Sequence, residues 1–289
     1  MRAVLLTILV MTLGAAAQEP AAAPVPDVGR LHVVLVGGIN KDPEEVRSKD
    51  RAMLRLSRYF ADTVGVPAER LHVLAAKDSY VTTATGESTA DGVCATLAQF
   101  AGLSSEDRLV VYYTGQANLV GDSLRLNLPG PDLTHTELAE VLAPLHPGLM
   151  VVILDCPGAG MAAKPLAAPN RVLVLSARSD QPTSTRFSDY FVAALEDPES
   201  DIDGGGSITL LEAFQRTAQQ IDALFREQSL LKSENALLED NGDGVPSQQP
   251  WNFAEEHNDG AVASTLRLET WSVNGVTAEA PVPARGEAP

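Results

Sequence analysis

The sequence predicts an α/β domain: a mostly parallel β-sheet sandwiched between helices. Three observations carry this reading. Five short apolar runs, 31–38, 71–76, 108–115, 149–155 and 171–177, are rich in Val, Leu and Ile. Four of them share a polar or turn start, a continuous apolar middle and a small or polar exit, the pattern of strands buried on both faces. Amphipathic stretches of helical spacing alternate with these runs, and strand–helix–strand alternation forces crossovers that cover both faces of a parallel sheet.

Taken in order, "LHVVLVGG" (31–38) is the first strand and ends on glycines. A helix follows from Asp50 to Thr63, then the strand "LHVLAA" (71–76). Ser88 to Phe100 reads as a helix, with Ser88 and Asp91 spaced as a cap. After "RLVVYYTG" (108–115), the stretch "DSLRLNL" (122–128) alternates with period two and predicts a small hairpin outside the main sheet. Thr134 to Leu145 is a helix opened by the capping-box pair Thr134 and Glu137. The fourth and fifth strands precede a helix in "TRFSDYFVAAL" (185–195) and a long helix from Leu210 to about Leu231. "AVASTLRLETW" (261–271) reads as a late edge strand.

The ends differ in character. Met1 and Arg2 precede the apolar run "AVLLTILVMTLG" and the small residues Ala15 to Ala17, so residues 1–17 read as a signal peptide for export to the periplasm or medium. Residues 18–29 are a Pro/Ala-rich flexible linker, residues 30–275 a single domain, and residues 276–289 a disordered tail. No later run is long and apolar enough to span a bilayer. The formal net charge of −17 argues against nucleic acid and anionic membrane surfaces as partners. Cys94 and Cys156 are too few for a disulfide scaffold or a cysteine zinc site, and their places on a helix and a strand exit predict two free thiols.

In a parallel sheet the strand exits share one edge, and there the chain places "YYTGQA" (112–117) beside "LDCPGAG" (154–160). A cysteine hydrolase needs an imidazole to take the thiol proton and return it to the leaving group. Gln116 follows Gly115 and cannot do so. His32 and His72 begin their strands, His135 lies in a capping turn, His146 precedes the fourth strand and His257 lies in the tail. Cys94, between Val93 and Leu97, reads as core.

The order of these elements and the two strand exits resemble the caspase/legumain clan of cysteine peptidases, especially bacterial legumain-like proteins of the C13 type. The likeness runs from Leu31 to Gly244 and includes "GGIN" (37–40), residues 48–74, "TRFSDYFVAAL" and "LLEDNGDG" (237–244). It implies the caspase-haemoglobinase fold. Carried over by position, Gln116 stands where the clan has its catalytic histidine, Ala117 where a glycine follows it, and Pro157 where it has its cysteine. Cys156 is the neighbour of that lost nucleophile. Asp155 matches the acid that receives a substrate's basic or amide side chain, with capping of a neighbouring backbone N–H as the equal alternative; Arg47 resembles a basic pocket residue, against the reading of a solvated surface arginine, and Ser176 completes the implied pocket. A proline also lacks the backbone N–H that helps bind an oxyanion. The resemblance therefore implies a pseudopeptidase that binds a peptide or protein partner and requires no cofactor. The alternative is an active endopeptidase that uses Cys156.

The loop "DIDGGGSITLLE" (201–212) places Asp201, Asp203, Gly206, Ile208 and Glu212 as a calcium loop does, with Gly205 where an oxygen ligand is usual. It predicts at most weak calcium binding. Thr209 and Glu212 also have capping-box spacing, and that alternative stays open. "EDNGDG" (239–244) reads as a turn.

Overall fold

The computed structural model describes residues 30–252 and 259–273. The expected signal peptide, linker and tail lie outside the described residues, as does His257. The chain runs β1 (Arg30–Gly37), α1 (Pro43–Arg58, continued by a π-helical turn Tyr59–Thr63), β2 (Leu71–Ala75), β3 (Gly86–Glu87) and α2 (Ala90–Ala98). It continues through β4 (Asp107–Thr114), β5 (Ala117–Val120), β6 (Ser123–Leu126), β7 (Leu133–Thr134), α3 (His135–Leu142) and β8 (Leu149–Asp155). Then come α4 (Ala163–Leu166), β9 (Arg171–Leu175), α5 (Phe187–Glu196), α6 (Leu210–Glu227), β10 (Leu237–Glu239), β11 (Leu266–Arg267) and β12 (Ser272–Val273).

The main sheet has seven strands in the order β10-β9-β8-β4-β1-β2-β3, parallel except for β10. Alternate residues serve two cores. Leu31, Val33 and Leu35 of β1 meet α1, α5 and α6, while Val34 and Val36 face α2, α3 and α4. Central β8 is buried along its whole length, so truncating Val152, Ile153 or Leu154 to Ala would cost about 2–5 kcal/mol. The result is a mostly parallel sheet between two helical layers, as the alternation predicts.

Several boundaries differ from expectation. Helix α1 begins at Pro43 rather than Asp50, because Asp42 caps it: the Asp42 carboxylate accepts from the backbone N–H of Glu44 at 2.9 Å and of Glu45 at 3.0 Å. The cap of α2 is Thr89, whose hydroxyl accepts from Gly92 N–H at 3.1 Å; Ser88 is fully buried beside it. Helix α6 stops at Glu227, and Ser229 turns the chain out with a φ of 53°. The capping box of Thr134 and Glu137 on α3 forms as predicted; a small hairpin outside the main sheet also forms, but residues 122–128 supply only its second strand, β6, which pairs with β5 about Gly121 and with β7 as a third strand.

Residues 261–271 do not form an edge strand of the main sheet. Leu211 N–H donates to Ala263 O at 3.1 Å and Leu268 N–H to Ile208 O at 3.0 Å, which ties this segment to the start of α6; β11 pairs with β12, and its Arg267 also bridges Thr209. The edges of the main sheet are β3 and β10, the latter antiparallel to β9 with Leu237 opposite Leu175. Cys94 and Cys156 are free thiols.

Candidate strand-exit site

The register sets Gly37 opposite Thr114 and Thr114 opposite Asp155, so β1, β4 and β8 end side by side. At such an edge an α/β protein can gather polar groups from distant parts of its chain. Asp155 is the centre of the gathering. It is fully buried and pairs with the Lys49 ammonium at 2.7 Å. Thr114 Oγ1 donates to it at 2.8 Å, Thr185 Oγ1 at 2.5 Å, Ser188 N–H at 3.2 Å, and Ser188 Oγ donates as well. Lys49 Nζ also donates to Thr185 O at 2.9 Å. Burial works to raise the Asp155 carboxyl, but the Lys49 charge and the hydrogen bonds from Lys49, Ser188 and Thr185 outweigh it and hold the group below its ordinary value.

This geometry corrects the expected pocket. The Asp155 carboxylate is occupied by the chain's own ammonium, leaving no exposed face for a guest's basic side chain. Arg47 lies exposed, and Lys49 is the residue of α1 that meets Asp155. Ser176 is fully buried behind the strand end: its hydroxyl accepts from Cys156 N–H at 3.0 Å and donates to Cys156 O at 3.1 Å. It braces the turn and offers nothing to a ligand.

Gln116 is 2% exposed, with its amide nitrogen engaged and its Oε1 buried without a partner among the described residues. Its amide nitrogen donates to Glu45 Oε2 at 3.0 Å and to Ser184 Oγ at 2.7 Å, and Ser184 in turn donates to Glu45 Oε1. Glu45 and Lys49 lie four residues apart on α1 and therefore on one face. That face closes the crevice at two points, Glu45 over Gln116 and Lys49 over Asp155.

Neither Cys156 nor Pro157 is available. Cys156 is fully buried in the core that faces α2, α3 and α4, and burial, followed by the neighbouring Asp155 charge, pushes its thiol far up, away from the reactive thiolate. Backbone donors that could serve an oxyanion are taken. Gln116 N–H donates to Ile39 O at 2.9 Å, Gly158 N–H to Gln181 O at 2.9 Å and Gly160 N–H to Ala177 O at 2.8 Å. Gly158 has a φ of 68°, and a Cβ there would come within 2.7 Å of Leu119, so the turn after Pro157 is packed as well as bonded.

The histidines stand elsewhere. His32 and His72 lie near the starts of β1 and β2, His135 begins α3, where its Nδ1 lies 3.2 Å from Leu124 N, and His146 is exposed before β8. Among the described residues none meets Cys156.

In the acidic loop, Asp201, Asp203 and Glu212 converge, with oxygen atoms within 4.8 Å of one another. Each is already bonded. Gly206 N–H donates to Asp201 at 2.9 Å and Gly205 N–H to Asp203 at 2.7 Å. Glu212 accepts from Ile202 N–H at 2.9 Å and Asp203 N–H at 3.1 Å on one oxygen, and from Thr209 N–H and Oγ1, both at 2.8 Å, on the other. The capping box is thus formed, and one Asp201 oxygen is buried without a partner.

Sequence reasoning missed Lys49, Glu45, Thr114, Ser184, Thr185 and Ser188. One signal was legible: Asp42-Pro43-Glu44-Glu45 is a helix start, and placing α1 there puts Glu45 and Lys49 on a common face. Among known proteins, no family model matches this chain and no curated protein matches it, so the geometry of the strand exits is what any functional reading rests on.

Proposed function

We propose that this chain is an exported pseudopeptidase of caspase/legumain-like architecture, a non-catalytic domain that acts through contact with a peptide or protein partner. The reading rests on the resemblance at the pair of strand exits, which would put Gln116 and Pro157 at the positions of base and nucleophile, and it is supported by the burial of Cys156 with no imidazole beside it among the described residues. An amide cannot cycle a proton near neutral pH, and a proline has neither a thiol nor an N–H to offer. Closure by Glu45 and Lys49 supports a partner contact on the outer surface rather than an extended peptide inside the crevice.

The test is to incubate the purified chain with a mixed peptide library and with an acyloxymethyl-ketone probe. Neither hydrolysis nor a cysteine adduct is expected. The paired replacement Gln116→His and Pro157→Cys is expected to stay unlabelled while Glu45 and Lys49 still close the crevice, since a dyad functions only as an accessible unit. Hydrolysis by the unmodified chain that disappears in Cys156→Ala would replace this reading with that of an active endopeptidase.

A further inference from the structure

A groove at the opposite edge of the sheet, where β1 and β2 begin, carries chemistry that the strand exits lack. Arg30, His32, Arg70 and His72 line it, with Gln99 and Phe100 on its wall. Glu69 and Asp107 line it too, so within a chain of formal net charge −17 this lining is formally balanced rather than acidic. Strands β1 and β2 pair with Val34 opposite His72, so His32 and His72 project from one face of neighbouring strands, two residues apart along the sheet. Phe100 packs edge-on against both imidazoles, with ring centres 5.3 and 5.6 Å away. Both are half-buried, and among the described residues neither ring has a protein hydrogen bond.

Of the two carboxylates in the lining, Asp107 is withdrawn from a guest. Asp107 of β4 is 2% exposed, and its carboxylate is committed: Ser104 N–H and Oγ donate to it at 2.8 and 2.9 Å, and Arg30 Nε pairs with it at 2.7 Å. The Arg30 side chain is itself 61% exposed, so its remaining donors reach the groove. Arg70 adds a second guanidinium from the turn before β2, while Glu69 beside it is exposed at the rim. Two nearby guanidinium groups disfavour a metal cation on the imidazoles. Burial lowers both histidines from their ordinary value; for His32, Arg70, His72 and Arg30 push the same way and Asp107 opposes. Each ring is therefore harder to charge than a free imidazole, and harder still while the other carries a proton, so a bound anion would favour their protonation.

We propose that this groove binds a small tetrahedral oxoanion, a sulfate or a phosphoryl group, in weakly acidic solution, with His32 and His72 taking up protons as it binds. The charged imidazoles and the guanidinium groups then offer it charge-assisted donors.

The ring resonances of His32 and His72 in the full chain, followed by NMR during titration with sodium sulfate or methyl phosphate against sodium chloride at equal ionic strength, test this. A saturable shift of both histidines is expected, with binding at least about tenfold tighter near pH 5.5 than near pH 8, the effect of roughly one added charge contact. Sulfate matching methyl phosphate marks a general oxoanion site, and methyl phosphate binding alone marks a phosphoryl site. By calorimetry, His32→Gln with His72→Gln is expected to remove the acid-dependent strengthening. Arg70→Gln, which leaves both imidazoles in place, is expected to weaken sulfate binding several-fold at the acidic pH. Shifts no larger than those with chloride, equal affinity at the two pH values, or a response to zinc and none to the anions would overturn the proposal.

Discussion

Asp155 and Glu234 are both fully buried carboxylates in one neighbourhood, close enough that the charge of Asp155 acts on Glu234. Their surroundings differ in one respect, the supply of donors. Asp155 receives Lys49, Thr114, Thr185 and Ser188. Glu234 receives only Arg186 N–H, at 2.8 Å, and its other oxygen has no partner. Burial pushes both groups upward, yet Asp155 ends below its ordinary value and Glu234 is raised to about 7. Burial sets the cost of the charge, and partner count decides whether the cost is met. The same contrast separates Asp155 from Asp259, which burial lifts to about 6 despite hydrogen bonds from Ser247 and the Asp240 backbone.

The largest effect is expected from Lys49→Met. It leaves Asp155 charged, buried and without its cation, and should destabilise the chain by about 3–5 kcal/mol in urea unfolding at neutral pH. Adding Asp155→Asn should recover part of that loss, because the second change removes the stranded charge. A single-variant loss below about 1 kcal/mol would break the comparison, since exposed pairs reach that value. The acid limb follows from the sign of the shift. Asp155 is depressed, so its stabilisation is present above the ordinary carboxylate range and is lost as pH falls through its lower folded value.

Glu234→Gln is expected to have the next largest effect and the opposite pH dependence. Because the folded value is raised to about 7, stability is fully present below the unfolded value near 4.5 and is lost as pH rises through neutrality. The variant should therefore match or fall slightly below the parent near pH 5 and exceed it near pH 8, by up to about 3 kcal/mol. Glu234 lines a cavity of about 30 Å³ with Asn235, Gln248 and Trp251, which gives the new amide room for a water partner. A difference in melting temperature that stays constant with pH would show that Glu234 is not the group that titrates.

What could be read from the sequence divides along the same line. The five strands were legible because Val, Leu and Ile runs with small or polar exits carry a local signal, and the boxes at Thr134 and Thr209 were legible because capping acts over three residues. The partners of Asp155 were not. Lys49, Thr114 and Thr185 converge on it from three separate stretches, and no spacing rule joins them. Starting α1 at Asp50 hid Glu45 and Lys49, although the Asp42-Pro43 cap was there to be read. Glu234 lies in an irregular segment after α6, where periodicity says nothing about burial.

The smallest effect concerns another buried acid, Glu212, which is 7% exposed and fully supplied with backbone and hydroxyl donors. A calcium ion would need both of its oxygens, and would have to displace Thr209, Ile202 and Asp203 to take them. Gly205 offers no side-chain oxygen in compensation. The loop is therefore expected to act as a helix cap: Thr209→Ala should cost about 1 kcal/mol, and millimolar calcium should leave the melting temperature unchanged to within about a degree. The buried Asp201 oxygen without a partner is the feature that favours the opposite result. A calcium-dependent rise in melting temperature that is lost in both Asp201→Ala and Asp203→Ala would assign the loop to the metal, and would make Glu212 a ligand that exchanges its capping bonds for a cation.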